Sequence, residues 1–269
     1  MKTYLWLLIG SFTIMAGCGS NDNNPGGDQP ATPPVPSISY TIAASYPHDT
    51  SSFTQGLVFW KGQLLEGTGL KAQSKLMQID LQTGKPVRQL ALDSNFFGEG
   101  ITVLNDTLYQ LTYQEHVVHV YNAKDFSKIK EFTLNTEGWG ITNDGKNLIV
   151  TDGSSNLYFY DPATFRLLRT QGVSANGEAA INLNELEYIN GFVYANQWQL
   201  NYILKIDPAT GEVVARMDFT DLVNRIAPRI TNAHPADAVL NGIAYNPETK
   251  KVYITGKNWP EIFEVQFPL

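Results

Sequence analysis

Glu99 is a carboxylate with glycine on both sides, in Phe97-Gly98-Glu99-Gly100, and the apolar run Ile101-Thr102-Val103-Leu104 follows it. A carboxylate set at the start of a buried strand can carry a proton between reacting groups. On residue type alone it is equally compatible with a solvated strand start. Four more positions repeat the pattern: Gln55 before Gly56, Trp139 before Gly140, Asn241 before Gly242, and Asn184, where Glu185 stands in place of glycine. About 14 residues beyond each leading residue comes a second matched position, at the end of the next strand. These are Gly69, Tyr113, Gly153 and Trp198, with Lys257 two residues further along. Two antiparallel strands return to the same end, so both sets should meet at one mouth. That mouth would hold a carboxylate, an amine, two amides and three aromatic rings from Gln55, Glu99, Tyr113, Trp139, Asn184, Trp198 and Lys257. A concave, aromatic-walled site with a few polar groups is the usual form of a small-ligand pocket.

The elements that must position these residues recur with them. The first three steps between leading residues are roughly 40–45 residues and the last about 57, the range of propeller blades. Each of the first four repeats contains four strand candidates. In the second they are Ile101–Leu104, Thr107–Thr112, His116–Asn122 and Ile129–Leu134. Lys61-Gly62, Asn105-Asp106 and Asn143-Asp144-Gly145 supply turns, and Asp161-Pro162-Ala163-Thr164 and Asp207-Pro208-Ala209-Thr210 turn the third strand into the fourth. The fifth repeat has only three strands: Ile243–Tyr245, Lys251–Thr255 and Ile262–Gln266. A strand at Ser37–Tyr46 precedes the first repeat and has no partner there. Pairing it to the outside of the last blade removes an exposed edge and closes the ring. The expected fold is all-β, a five-bladed β-propeller whose last blade is closed by the N-terminal strand. A helix over Phe219–Arg229 accounts for the long last step.

Composition narrows the partners. Net charge is -7 with 17% charged residues, and the signs are interspersed, which argues against nucleic acid or an anionic membrane surface. One cysteine excludes an internal disulfide framework. Met1-Lys2 and the apolar run Tyr4–Met15 read as an export leader, too short to span a bilayer. Met15-Ala16-Gly17-Cys18 resembles a bacterial lipobox, with Met15 where leucine is commoner. The expected organisation is a lipoprotein signal peptide over 1–17, a disordered tether over 18–36 starting at lipidated Cys18, and a propeller over 37–269. The protein would be exported and lipid-anchored in the bacterial cell envelope, facing the periplasm, with the outer membrane favoured over the inner. A closed ring needs no partner subunit, so a monomer is expected.

At this point the chain resembles the glutaminyl-peptide cyclotransferases of the plant and bacterial propeller type, also called glutamine cyclotransferases. The resemblance is carried by Phe53-Thr54-Gln55-Gly56-Leu57, Gly67-Thr68-Gly69-Leu70, Phe97-Gly98-Glu99-Gly100-Ile101 and Gly138-Trp139-Gly140. It continues through Leu183-Asn184-Glu185-Leu186-Glu187-Tyr188-Ile189, Ala195-Asn196-Gln197-Trp198, Leu240-Asn241-Gly242-Ile243-Ala244 and Thr255-Gly256-Lys257. It implies a five-bladed propeller that converts the N-terminal glutamine of peptides or proteins to pyroglutamate and releases ammonia. It further implies proton transfer by Glu99, catalytic or substrate contacts from Lys257, Asn184 and Gln55, and a pocket wall of Phe53, Phe97, Trp139 and Trp198. Tyr113 departs from the family pattern, where tryptophan is expected, which puts the pocket's shape in question. No metal and no cofactor is expected.

The same residues are compatible with other readings. A non-catalytic, tethered binding propeller is the runner-up. A lactonase-type hydrolase would need a metal, and a lone glutamate among Gln55, Asn184 and Asn241 is poor in charge for a divalent ion. His116 and His119 are expected on opposite faces of a strand and so not to share a metal. Of Glu185 and Glu187, only one is expected to face the axis. Asn241 is read as joining blades or touching substrate, and Trp60 and Trp259 as packing or rim.

Overall fold

The computed structural model describes residues 34–231 and 236–269; the expected leader, Cys18 and most of the tether lie outside them. The described chain forms five four-stranded antiparallel sheets. In chain order their innermost strands are Thr54–Trp60, Gly98–Leu104, Ile141–Asn143, Leu183–Ile189 and Leu240–Asn246. In each of blades one to four the next three strands step outward in sequence order. Blade five takes Lys251–Gly256 and Glu261–Gln266 from the C-terminus and is completed by Thr41–Pro47 from the N-terminus.

Turn chemistry sets the registers. The first hairpins of blades one, two and four close through two-residue loops whose residues all have positive φ: Lys61-Gly62, Asn105-Asp106 and Asn190-Gly191. That is the loop whose twist matches the strands it joins. The Asp-Pro-Ala-Thr turns are organised by the aspartate. Asp161 Oδ1 accepts the backbone N–H groups of Ala163 and Thr164 at 3.1 and 2.9 Å, and Asp207 Oδ1 accepts that of Ala209 at 2.8 Å.

The core is distributed between blades. Among the described residues five buried apolar clusters occur, one for each neighbouring pair, and the cluster of Leu57, Leu64, Ala244, Tyr253 and Ile262 joins blade five to blade one. The ring is therefore closed by packing as well as by the shared sheet. The helix Thr220–Ile226 and the 3-10 turn Ala227–Arg229 seat Phe219, Leu222 and Ile226 in the cluster between blades four and five.

The expectation of one strand over Ser37–Tyr46 changes. The N-terminal strand begins at Thr41, and the residues before it serve a different blade. Arg216 of blade four donates its N–H to Pro36 O at 2.9 Å and accepts that of Ile38 at 2.8 Å, and Val35 packs on the cluster between blades three and four. The N-terminal segment thus fastens two blades. Trp259 is fully buried and donates Nε1–H to Ala238 O at 3.0 Å, whereas Trp60 is half-buried and bonded to Asp106 at 2.8 Å.

Candidate active site

Close approach of the innermost strands explains the repeated glycines. A Cβ on Gly56 would lie 2.4 Å from Ile101 N, on Gly100 2.7 Å from Trp139 O, and on Gly140 2.0 Å from Asn184 O. Each leading residue thereby sits where its strand passes its neighbour. Glu185 is the exception in the fourth blade. Its carboxylate accepts Leu57 N–H at 3.1 Å from blade one and Ile243 N–H at 2.8 Å from blade five. Glu187 accepts Tyr245 N–H at 2.8 Å and the Thr142 hydroxyl at 3.4 Å. Both glutamates are buried and reach other blades. Residues two apart on a strand share a face, so the expectation of one inward glutamate is corrected to two.

One cavity of about 170 Å³ is lined by Phe53, Gln55, Phe97, Glu99, Tyr113, Trp139, Asn184, Trp198, Asp237 and Lys257. Every residue anticipated for the site, apart from the lipidation residue Cys18 outside the described range, is in that lining. Drug-sized ligand sites run to roughly 300–1,000 Å³, so this cavity suits one side chain and its terminal group rather than a stretch of peptide.

The aromatic wall is built from crossed rings. Trp139 and Trp198 meet edge to face with centroids 5.6 Å apart, Phe53 and Phe97 at 6.1 Å, and Phe97 and Tyr113 tilt together at 5.7 Å. The two glycines of the second set make room for this wall. A Cβ on Gly69 would stand 2.4 Å from Phe97 and one on Gly153 2.6 Å from Trp139.

Among the polar groups, Glu99 is 4% exposed and accepts the Gln55 amide at Oε1, 3.0 Å away. Burial pushes its carboxyl well above the usual carboxylate range; the Lys257 ammonium opposes this, and Glu115 and Glu137 add to it. Lys257 is lowered, first by burial, against the attraction of Glu99 and Asp237. Its Nζ lies 4.7 Å from the centre of the Phe53 ring. Asn184 is buried, and its Oδ1 has no hydrogen-bond partner among the described residues. Asn241 does not line the cavity; it donates to Thr54 O at 2.9 Å and Gln55 Oε1 at 3.2 Å.

Three carboxylates escaped the sequence reading. Glu115 accepts Phe97 N–H at 3.2 Å and pairs with Lys71 at 2.9 Å. Glu137 accepts the Trp139 indole N–H at 3.1 Å and the Gln114 amide at 2.8 Å. Asp237 lies in the long connection before blade five. Among the described residues no group of three or more His, Cys, Asp or Glu converges as a metal cage. His116 turns to Thr136 O at 2.8 Å while His119 is buried beside Glu131.

The glutamine cyclotransferase family model matches residues 13–267. The chain belongs to that family. It is 36% identical to the glutaminyl-peptide cyclotransferase of Arabidopsis thaliana over 227 residues, covering 84% of this chain and 70% of the plant protein. The crystal structure of Myxococcus xanthus glutaminyl cyclase superposes with a TM-score of 0.81 at 37% identity, over 87% of this chain and 98% of that one.

Proposed function

We propose that this chain is a glutaminyl-peptide cyclotransferase acting on N-terminal glutamine. The observation that carries the reading is the single-residue cavity that brings Glu99, Lys257, Asn184 and Gln55 together inside an aromatic wall. The substrate's α-amine attacks its own side-chain amide carbon, forming the ring N–C bond, and the C–NH₂ bond then breaks. Nucleophile and electrophile belong to one residue, so positioning does most of the work.

A free α-amino group has a pKa of about 7.7–8, so near neutrality it arrives mainly as ammonium. One ammonium proton is lost to solvent before attack; as the N–C bond forms, Glu99 takes a second proton from that nitrogen and gives it to the departing NH₂, which leaves as ammonia. A carboxylate whose proton affinity is raised by burial is well matched to both transfers. Gln55 occupies Oε1, so the proton passes through Oε2. The Lys257 ammonium stabilises the oxyanion of the tetrahedral intermediate. Asn184 Oδ1, buried and unpartnered, accepts from the substrate's amide NH₂. That contact favours glutamine over glutamate, which has no N–H there. Phe53, Phe97, Tyr113, Trp139 and Trp198 exclude water and face the incoming ammonium.

The test is a Gln-initiated peptide incubated with the propeller and followed for mass loss equal to one ammonia. Loss well above the spontaneous rate is expected; a rate equal to the spontaneous one overturns the reading. The leader over 1–17, lipidation at Cys18 and envelope anchoring are proposed on the sequence pattern alone, as is a monomeric state.

A further inference from the structure

Three polar side chains from three blades form a chain of hydrogen bonds that ends on Glu99. Asn241, from blade five, donates Nδ2–H to Thr54 O at 2.9 Å and to Gln55 Oε1 at 3.2 Å. Gln55, from blade one, donates Nε2–H to Glu99 Oε1 at 3.0 Å. Each link fixes the polarity of the next. A backbone carbonyl can only accept, so Asn241 must present its NH₂ to Thr54 and, through its second hydrogen, to Gln55. Gln55 must then turn its oxygen to Asn241 and its NH₂ to Glu99. The reversed amide would set oxygen against the carboxylate and NH₂ against NH₂.

We infer that Asn241 is a positioning residue that acts on Glu99 through Gln55, holding the Gln55 amide in the sense that donates to the carboxylate. A donor on Oε1 favours the ionised carboxylate and leaves Oε2 for the substrate's proton. The groups around Glu99 make that donor matter. Glu115 and Glu137 disfavour its charge, as does burial, and Lys257 favours it while being shared with Asp237. Gln55 is the neutral donor in this set. Joining blades through Thr54 O uses one Nδ2 hydrogen; the second goes to Gln55 Oε1, and Asn241 is kept although its Oδ1 is buried with no partner among the described residues. That is a penalty an apolar residue would avoid.

The inference rests on the cyclisation reading of the cavity, and its test separates the two. Asn241→Asp keeps the shape but offers acceptors where Gln55 needs a donor, so Gln55 reverses and turns its oxygen to Glu99. Asn241→Ala removes the restraint. The acid limb of kcat/KM should move up by about 1 pH unit in Asn241→Ala and further in Asn241→Asp, with kcat falling more than KM changes. In a Gln55→Ala background, Asn241→Ala should cost less than about twofold, against about tenfold in the natural background. An unmoved limb, or equal losses in both backgrounds, overturns the inference and leaves Asn241 a structural tie. Infrared titration of the Glu99 carboxyl, identified by its absence in Glu99→Gln, reads the same shift without turnover. A protein that releases no ammonia would sink the cyclisation reading, while that titration would still decide the role of Asn241.

Discussion

The indole of Trp139 occupies the space over Gly153 that any side chain would need: a Cβ there would stand 2.6 Å from Cζ2 of the ring. The same glycine has φ +80, a left-handed conformation. Gly145 has φ +84 with nothing within 4 Å of an added Cβ. The pair separates backbone strain from displacement of the wall. Both alanine variants should lose roughly 1 kcal/mol of stability to strain. Gly153→Ala alone should also raise KM for a Gln-initiated peptide by about tenfold, because Trp139 must tilt away from Trp198. Equal KM values in the two variants would show that Trp139 is not held by this contact.

Glu185 crosses to two other blades, where it accepts one backbone N–H from each. Glu185→Ala leaves two buried donors unsatisfied and should destabilise the fold by roughly 2–6 kcal/mol. Chemical denaturation reads this directly. A midpoint within error of the natural protein would mean that water or strand movement satisfies both groups.

How far the sequence revealed the site follows from what was periodic. Gln55, Glu99, Trp139 and Asn184 were legible because each leads an innermost strand at a blade-length spacing, and Tyr113, Trp198 and Lys257 because each ends the following strand. Glu115, Glu137 and Asp237 lie in connections whose residue types differ from blade to blade, so no repeated residue type marks them. Asn241 obeys the period yet turns to Gln55 and away from the cavity, a choice made by side-chain partners across blades. Glu185 replaced a repeated glycine, and that break was the available signal. Its meaning depends on the strand-to-strand gap at the axis, which three neighbouring glycines set. The missing fourth strand of the last repeat points the N-terminal strand to blade five, but alternation does not show that Pro36–Ile38 pairs with Arg216 instead.

His48 follows the closing strand and links it to blade one. Its Nδ1 donates to Trp259 O at 2.8 Å, which leaves Nε2 facing Glu66 at 3.1 Å, both side chains fully buried. Burial disfavours the imidazolium, but the charge and hydrogen bond of Glu66, with the Trp259 carbonyl, outweigh it and raise the pKa above the ordinary 6.5. A raised folded-state value stabilises the protein fully below pH 6.5 and ceases to do so as pH rises through that raised value. Melting temperature should therefore fall with rising pH in the natural protein and fall less in His48→Gln. Parallel profiles would show that His48 stays neutral throughout.

Cys18 lies in the sequence that resembles a lipobox. Cys18→Ala should shift the protein from the membrane fraction to the soluble fraction of the cell envelope and abolish labelling by a radioactive fatty acid. Retention of the label in Cys18→Ala would place the lipid on another residue.

Tyr113 lines the cavity 5.7 Å from Phe97, where the family resemblance leads one to expect tryptophan. Tyr113→Trp should change KM across a set of Gln-initiated peptides while leaving kcat within about twofold, since the ring acts on binding and not on the proton. A selective fall in kcat would tie the Tyr113 hydroxyl to the chemistry.

On the proposed reading Glu99 moves the proton from the attacking amine to the leaving nitrogen. The direct measurement is the rate of ammonia release from a Gln-initiated peptide by Glu99→Gln, set against the natural protein at neutral pH with binding of the peptide confirmed. The amide keeps the shape and can carry no proton, so kcat should fall by roughly 10²–10⁴-fold while the peptide still binds. A kcat within a few-fold of the natural protein would contradict the account.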